Sequence, residues 1–206
     1  MPMKLPEPPI TETALIEALR RRFGPPPPEV VVGIGDDCAA VVLDGESCLL
    51  WTVDTLMEGV HFDLAYTPLP QLGWKTLTVN LSDIAAMGGE PRYALLSLGW
   101  PPARDRRGAL EVADGLARAA REYGVAVIGG DTVASPGGVA LTLTVLGWVP
   151  AGEMLRRSGA GVGDLIYVTG FLGEAAAGLE ILRRRVDVPP ELAAPLCRAH
   201  LTPRPQ

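Results

Sequence analysis

Apolar positions along the chain alternate between helical and strand spacing, and these changes of period predict its elements. Ile16, Leu19 and Phe23 recur on one helical face after Thr11, which can cap a helix running to Phe23. Glu12 at its start and Arg20 to Arg22 at its end suit the helix dipole. Gly24 stops this helix, and Pro25 to Pro28 form a stiff spacer. Val30 to Val32 then reads as a strand leading into Gly33-Ile34-Gly35-Asp36-Asp37, and Ala39 to Leu43 continues it. After the turn Asp44-Gly45-Glu46, Cys48 to Val53 is a further strand that ends at Asp54. Gly73 to Met87 is a helix with Leu77, Leu81 and Ile84 toward the core, closed by Gly88-Gly89.

Tyr93 to Trp100 is a strand, and Asp105 can cap a helix to Tyr123 with Leu110, Ala113, Ala117 and Ala120 inward. Val125 to Ile128 is a short strand ending in Gly129-Gly130-Asp131-Thr132. Val139 to Val149 alternates, with Val139, Leu141, Leu143 and Val145 on one side and Thr142 and Thr144 on the other. Pro150-Ala151-Gly152 marks a boundary. Beyond it, Asp164 to Thr169 is a strand, Gly173 to Arg185 a helix, and Val186 to Gln206 has no clear element. The chain therefore divides into an arm, helix and spacer over residues 1–29, a first domain over 30–150 and the start of a second over 151–206.

Composition narrows the function. With 206 residues, 48% hydrophobic and 20% charged, the chain can bury a core and is not globally disordered. The net charge of −6 argues against a nucleic-acid partner, though not against phosphates if cations accompany them. No apolar run reaches membrane-spanning length, and Met1 to Pro9, a loose proline-rich arm, lacks the apolar region of a signal peptide. Cys38, Cys48 and Cys197 are odd in number and show no metal-ligand spacing, as expected of reduced thiols in a cytoplasmic protein.

The aspartates carry the chemistry. Asp36, Asp37, Asp54 and Asp131 each follow an apolar strand, and Asp83 lies one turn from Asn80 in an otherwise apolar helix. Taken singly, an aspartate after a strand is more often a turn former or helix cap than a metal ligand, and Asn80 and Asp83 can satisfy each other and a nearby backbone group. Taken together, they are converging carboxylates that would repel one another unless cations lay between them; Mg²⁺ prefers such hard oxygen ligands. Gly33, Gly35, Gly129 and Gly130 would let the backbone approach a phosphate. His61, seven residues past Asp54, suits a substrate wall, and Arg157 a phosphate contact; Arg156 and Arg183 to Arg185 read equally as solvated charge, and Cys38 as a small core residue. The strand-turn-helix at Asp164 to Gly173 lacks the G-x-G-x-x-G spacing of a dinucleotide site, and no Walker A loop occurs.

Seven ordered segments carry a resemblance: GIGDDCA (Gly33 to Ala39), VDTLMEGVHF (Val53 to Phe62), GWKTLTVNLSDIAAMGGEP (Gly73 to Pro91), IGGDT (Ile128 to Thr132), GWVP (Gly147 to Pro150), LRRSGAGVGDLIYVTG (Leu155 to Gly170) and HLTPRP (His200 to Pro205). Over nearly all of residues 30 to 205 the chain resembles the thiamine-monophosphate kinases, of the superfamily that includes aminoimidazole ribonucleotide and selenophosphate synthetases. The resemblance implies an α/β (α+β type) fold. Its amino-terminal domain would have a four-stranded mixed sheet that pairs across a homodimer into a barrel-like core, with a second α/β domain begun after it. It implies Mg²⁺, several ions, on Asp37, Thr52, Asp54, Asp83 and Asp131. Val53 stands where some relatives have Thr and could ligate only through its backbone carbonyl. ATP would meet Gly130, Asp131 and Arg157, and thiamine monophosphate would meet His61. The family's carboxy-terminal D-L-S-D-G and G-E-D-Y motifs do not occur in this sequence, so the chain on its own is expected to be weakly active or inactive.

The implied reaction moves the terminal phosphoryl group of ATP to thiamine monophosphate. No residue is expected to act as general base, because a phosphate monoester, with a second pKa of about 6, is already largely a dianion at neutral pH. Two alternatives are a non-catalytic dimerising nucleotide-binding module and a related ATP-dependent synthetase. The absence of cysteine from Met1 to Val32 counts against a selenophosphate synthetase.

Overall fold

The computed structural model describes residues 11–206; the proline-rich arm expected at Pro2 to Pro9 lies outside them. The elements are α1 (Glu12–Phe23), β1 (Val30–Val32), β2 (Ala39–Val42), β3 (Ser47–Met57), α2 (Leu69–Ala86), β4 (Glu90–Trp100), α3 (Arg107–Glu122), β5 (Ala126–Ala134), β6 (Ala140–Pro150), α4 (Glu174–Leu182) and α5 (Pro190–Leu201). The strands form one six-stranded sheet in the order β1-β2-β3-β6-β4-β5. β4 and β5 run parallel, joined through α3, and the other pairs are antiparallel. The fold is thus mixed α/β as expected, but the sheet has six strands where four were expected. The apolar β1 and β2 extend it beyond β3, and Asp44 ties the β2–β3 turn by accepting from the backbone N–H groups of Glu46 and Ser47.

Period-two alternation puts Cys48, Leu50, Thr52 and Leu56 of β3 and Leu141, Leu143, Val145 and Val149 of β6 on one buried face. α2 covers that face with Leu72, Leu77, Leu81 and Ile84. Each fully buried large aliphatic side chain contributes about 1.5–3 kcal/mol. α2 and α3 cross at backbone contact. A Cβ on Gly73 would strike the Val112 carbonyl, and one on Gly115 would strike the Pro70 carbonyl. That approach sets the phase of α3, which turns Val112, Gly115, Leu116, Ala119 and Ala120 inward. Of the positions expected to face the core, only Ala120 is fully buried; Leu110 and Ala113 are exposed and Ala117 is half-buried.

Other expectations need correction. β3 and β5 run on past the predicted ends, so Asp54 and Asp131 sit within strands. A ladder partner explains the extension of β3: all eleven of its residues pair with β6. Asp164 to Thr169 forms no strand, having no ladder to join, and α5 forms where no element was expected. α5 has Pro190 in its first turn and packs on α4 at Gly178, where a Cβ would strike the Leu196 carbonyl. α1 begins at Thr11 as predicted, with the Thr11 hydroxyl accepting from Ala14 N–H, but Ile16, Leu19 and Phe23 remain exposed.

Candidate functional site

The carboxylates gather where the β1–β2 connection, β3 and the last turns of α2 meet. β3 brings Thr52 and Asp54 to the helix-facing side of the sheet, two residues apart and therefore on one face. α2 brings Asp83 to Thr52, whose hydroxyl donates to Asp83 Oδ2 at 2.7 Å. Asp36 and Asp37 approach from the loop before β2; Asp36 Oδ1 accepts from Asp37 N–H at 3.0 Å. Arg157 closes the group from the segment after β6. Its guanidinium donates to Asp37 Oδ1 at 2.6 Å, and its Nε lies 3.9 Å from Asp36 Oδ1.

These groups act on one another electrostatically. Burial raises the Asp83 carboxyl above its ordinary value and the charges of Asp54 and Asp37 add to that rise, while the Thr52 hydrogen bond and Arg157 act against it. The neighbouring Cys38 thiol is pushed up to about 12 by burial and by Asp83, Asp37 and Asp36, which makes it an inert core residue. Arg157, in turn, has its pKa raised by Asp37. A cation already rests on the carboxylates, and the oxygen donors present fit a hard divalent ion. Among the described residues no set of three or more His, Cys, Asp or Glu side chains is drawn in to metal-binding distance.

Asn80 does not pair with Asp83. It is fully buried and donates to the Thr76 carbonyl, as Thr76, Thr78 and Ser82 also bond back along α2, which is how the polar side chains of an apolar helix stay in the core. Its Oδ1 is left without a partner.

The remaining predicted residues lie elsewhere. Asp131 pairs in register with Ser97, and through it with Thr142 and Thr55, whereas Asp54 shares the adjacent row with Leu143, Leu96 and Gly130. Asp131 therefore sits on the opposite, open face, three strand spacings or about 14 Å from β3. Its side chain accepts from Thr132 N–H. Val53 also turns its side chain to the open face, 58% exposed.

His61 occupies the turn after β3, its Nδ1 accepting from Met57 N–H at 3.0 Å. It lines a cavity of about 540 Å³ with Tyr66, Leu179 and Arg183 to Arg185. Nothing in the sequence indicated that these arginines, just past the end of α4, would meet His61. A second cavity, of about 690 Å³, opens at the carboxyl ends of the parallel strands β4 and β5 and the start of α3. Leu98, Trp100, Pro101, Leu110 and Val133 line it beside Arg104. Trp100 Nε1 and Arg104 Nη1 are buried there without hydrogen-bond partners among the described residues. A parallel pair joined by a crossover helix is a common ligand position, but the sequence did not disclose the walls of this one.

Comparison with known proteins shows what this chain resembles. Residues 35–149 match the family described as AIR synthase related protein, N-terminal domain. Thiamine-monophosphate kinase of Salmonella typhimurium is 42% identical over 179 residues, which cover 86% of this chain and 54% of that protein. The Bacillus subtilis protein of the same name is 40% identical over 153 residues, covering 74% and 47%. The chain thus spans about half the length of the curated relatives it matches. A solved structure described as AaThiL complexed with AMPPCP and TMP superposes with a TM-score of 0.85 at 33% identity, over 98% of this chain and 62% of that one. With most of its sheet inside the matched region, this chain belongs to the AIR synthase related family and is similar there to thiamine-monophosphate kinases.

Proposed function

We propose that this chain contributes the nucleotide- and metal-binding part of a kinase that transfers a phosphoryl group from ATP to thiamine monophosphate. The observation that carries the reading is the gathering of Asp37, Thr52, Asp54 and Asp83 under Arg157 in a chain 42% identical to a protein of that name. Joining two anionic phosphates demands charge neutralisation and alignment more than proton abstraction, and Mg²⁺ at these carboxylates supplies both.

Each of the chain's own groups has a part. Thr52 orients Asp83, and Arg157 exchanges its carboxylate partners for phosphate oxygens, which suit a guanidinium equally well. The apolar cavity at the ends of β4 and β5 takes the base of the nucleotide, an acceptor atom of which would fill the unpaired Nε1 donor of Trp100. Gly130 and Asp131 lie on β5 just before the cavity wall, which begins at Thr132. His61 borders the acceptor. The relative solved with AMPPCP and TMP, read as an ATP analogue and thiamine monophosphate, supports both subsites.

The open face of the sheet, with Trp51, Val53, Met57, Tyr93, Leu95 and Val133 exposed, packs against the same face of a second copy, giving the dimeric barrel. No helix among the described residues is long and apolar enough to cross a membrane. The proposed reaction belongs to the cytoplasm, where ATP and reduced thiols are available.

The test is product formation by the protein as its gene encodes it, with Mg²⁺, ATP and thiamine monophosphate. Thiamine diphosphate should accumulate, and Asp54→Asn or Asp83→Asn should lower kcat at least about 100-fold, on the order of a lost charge-stabilising group, without unfolding the chain. An Asn variant with near wild-type rate would remove these residues from the mechanism.

A further inference from the structure

We propose that Glu58 is a positioning residue: it fastens the His61 turn to the wall of the nucleotide cavity, so that the acceptor and nucleotide subsites keep a fixed separation. The assignment of the two subsites rests on the kinase reading above; the fastening rests on geometry alone.

β3 leaves the sheet at Met57 and enters a tight turn. Gly59 N–H donates to the Phe62 carbonyl, His61 N–H to the Met57 carbonyl, and Met57 N–H to the His61 ring. The imidazole is therefore rigid within this turn, and wherever the turn goes, His61 goes with it. Glu58 sets where the turn goes. Its Oε1 accepts from Arg104 Nη2 at 2.7 Å, its Oε2 accepts from Val139 N–H at 2.8 Å, and its own N–H donates to the Val139 carbonyl at 3.0 Å.

Arg104 lies 46 residues away on the β4–α3 loop, a wall of the 690 Å³ cavity. This one carboxylate thus spans three connections: the β3–α2 turn, the β4–α3 loop and the start of β6. It differs from an ordinary surface ion pair, which contributes little. Only 19% of the Glu58 side chain is exposed, both oxygens are used, and Arg104 and the Val139 bond hold its pKa below the usual carboxylate range. The backbone opposite is shaped around it. Gly138 adopts φ +120°, and a Cβ there would come within 3.0 Å of Glu58 Oε2.

The test compares Glu58→Gln, Arg104→Gln, the double variant and Arg104→Lys in the protein as its gene encodes it. Glutamine keeps an acceptor for Val139 and loses the ionic link. We expect kcat at saturation to fall about tenfold, as when one charge-assisted hydrogen bond is lost. Affinities for ATP alone and thiamine monophosphate alone should be unchanged. The double variant should be no worse than either single one, and Arg104→Lys should retain most of the rate. A loss of melting temperature with kcat intact, additive effects in the double variant, or a change in one affinity only would overturn the proposal. Amide exchange judges the fastening without turnover, so it still decides if the wild-type protein proves not to be a kinase. In Glu58→Gln the Gly59, His61 and Arg104 amides should all exchange faster, and acceleration of one segment alone would refute it.

Discussion

Asp83 shows how one residue can work against the fold that carries it. Half-buried, hydrogen-bonded to Thr52 and crowded by Asp54 and Asp37, its carboxyl is pushed above the ordinary aspartate value of 3.8, by burial first and by those charges next. A raised carboxyl costs nothing below 3.8, where both states are protonated. The cost is complete once the pH has passed the folded value, and it applies at neutrality. Without divalent ions, Asp83→Asn should therefore raise the melting temperature at neutral pH. Mg²⁺ should stabilise the wild type and fail to stabilise the variant; calorimetry with and without Mg²⁺ checks both. Equal Mg²⁺ stabilisation of the two proteins would remove Asp83 from the metal's neighbours. The unusual setting of Asp83 was legible in the sequence as an acid in an apolar helix. Its partner was not, because Thr52 lies 31 residues away and only sheet–helix packing brings them together.

At the scale of elements, the pairing of α2 with α3 positions the site. α2 must lie flat on β3 for Asp83 to reach Thr52, and α3 holds it there through Gly73 and Gly115, where the two backbones touch. Gly115→Ala should destabilise the protein by about 3 kcal/mol, the upper part of the range for overpacking, since the Pro70 carbonyl cannot swing aside as a side chain can. Urea unfolding measures this, and a loss under about 0.5 kcal/mol, as at an ordinary surface site, would show that the helices can separate. The period of α3 was readable from its apolar residues but its phase was not. Alanine and glycine carry no strong inward preference, so the crossing with α2 decided which of them faced the core.

The whole molecule has one covered sheet face and one open one. The covered face is buried by α2 and α3; the open face exposes Trp51 at 46%, Tyr93 at 40% and Val133 at 49%. Under the dimer proposal, light scattering should give twice the chain mass at micromolar concentration. Trp51→Glu should give a monomer of unchanged helical content, because a carboxylate cannot be buried unpaired at such a face. A monomeric wild type would end that part of the proposal. The same scale accounts for the segment after β6. Leu165, Ile166 and Tyr167 have strand composition yet stay exposed, since β-propensity without a neighbouring ladder gives no strand.

The sequence alone determined the local facts: where α1 and α2 begin and end to within a few residues, the alternation of β6, and which carboxylates sit in surroundings too apolar for them. These depend on short-range periodicity and capping, which the chain carries within a turn or two. Tertiary structure alone decided which of those carboxylates meet. It placed Asp37, Asp54 and Asp83 around Thr52 and Arg157 and left Asp131 on the opposite face, because strand order and register are set by contacts between residues far apart in the chain.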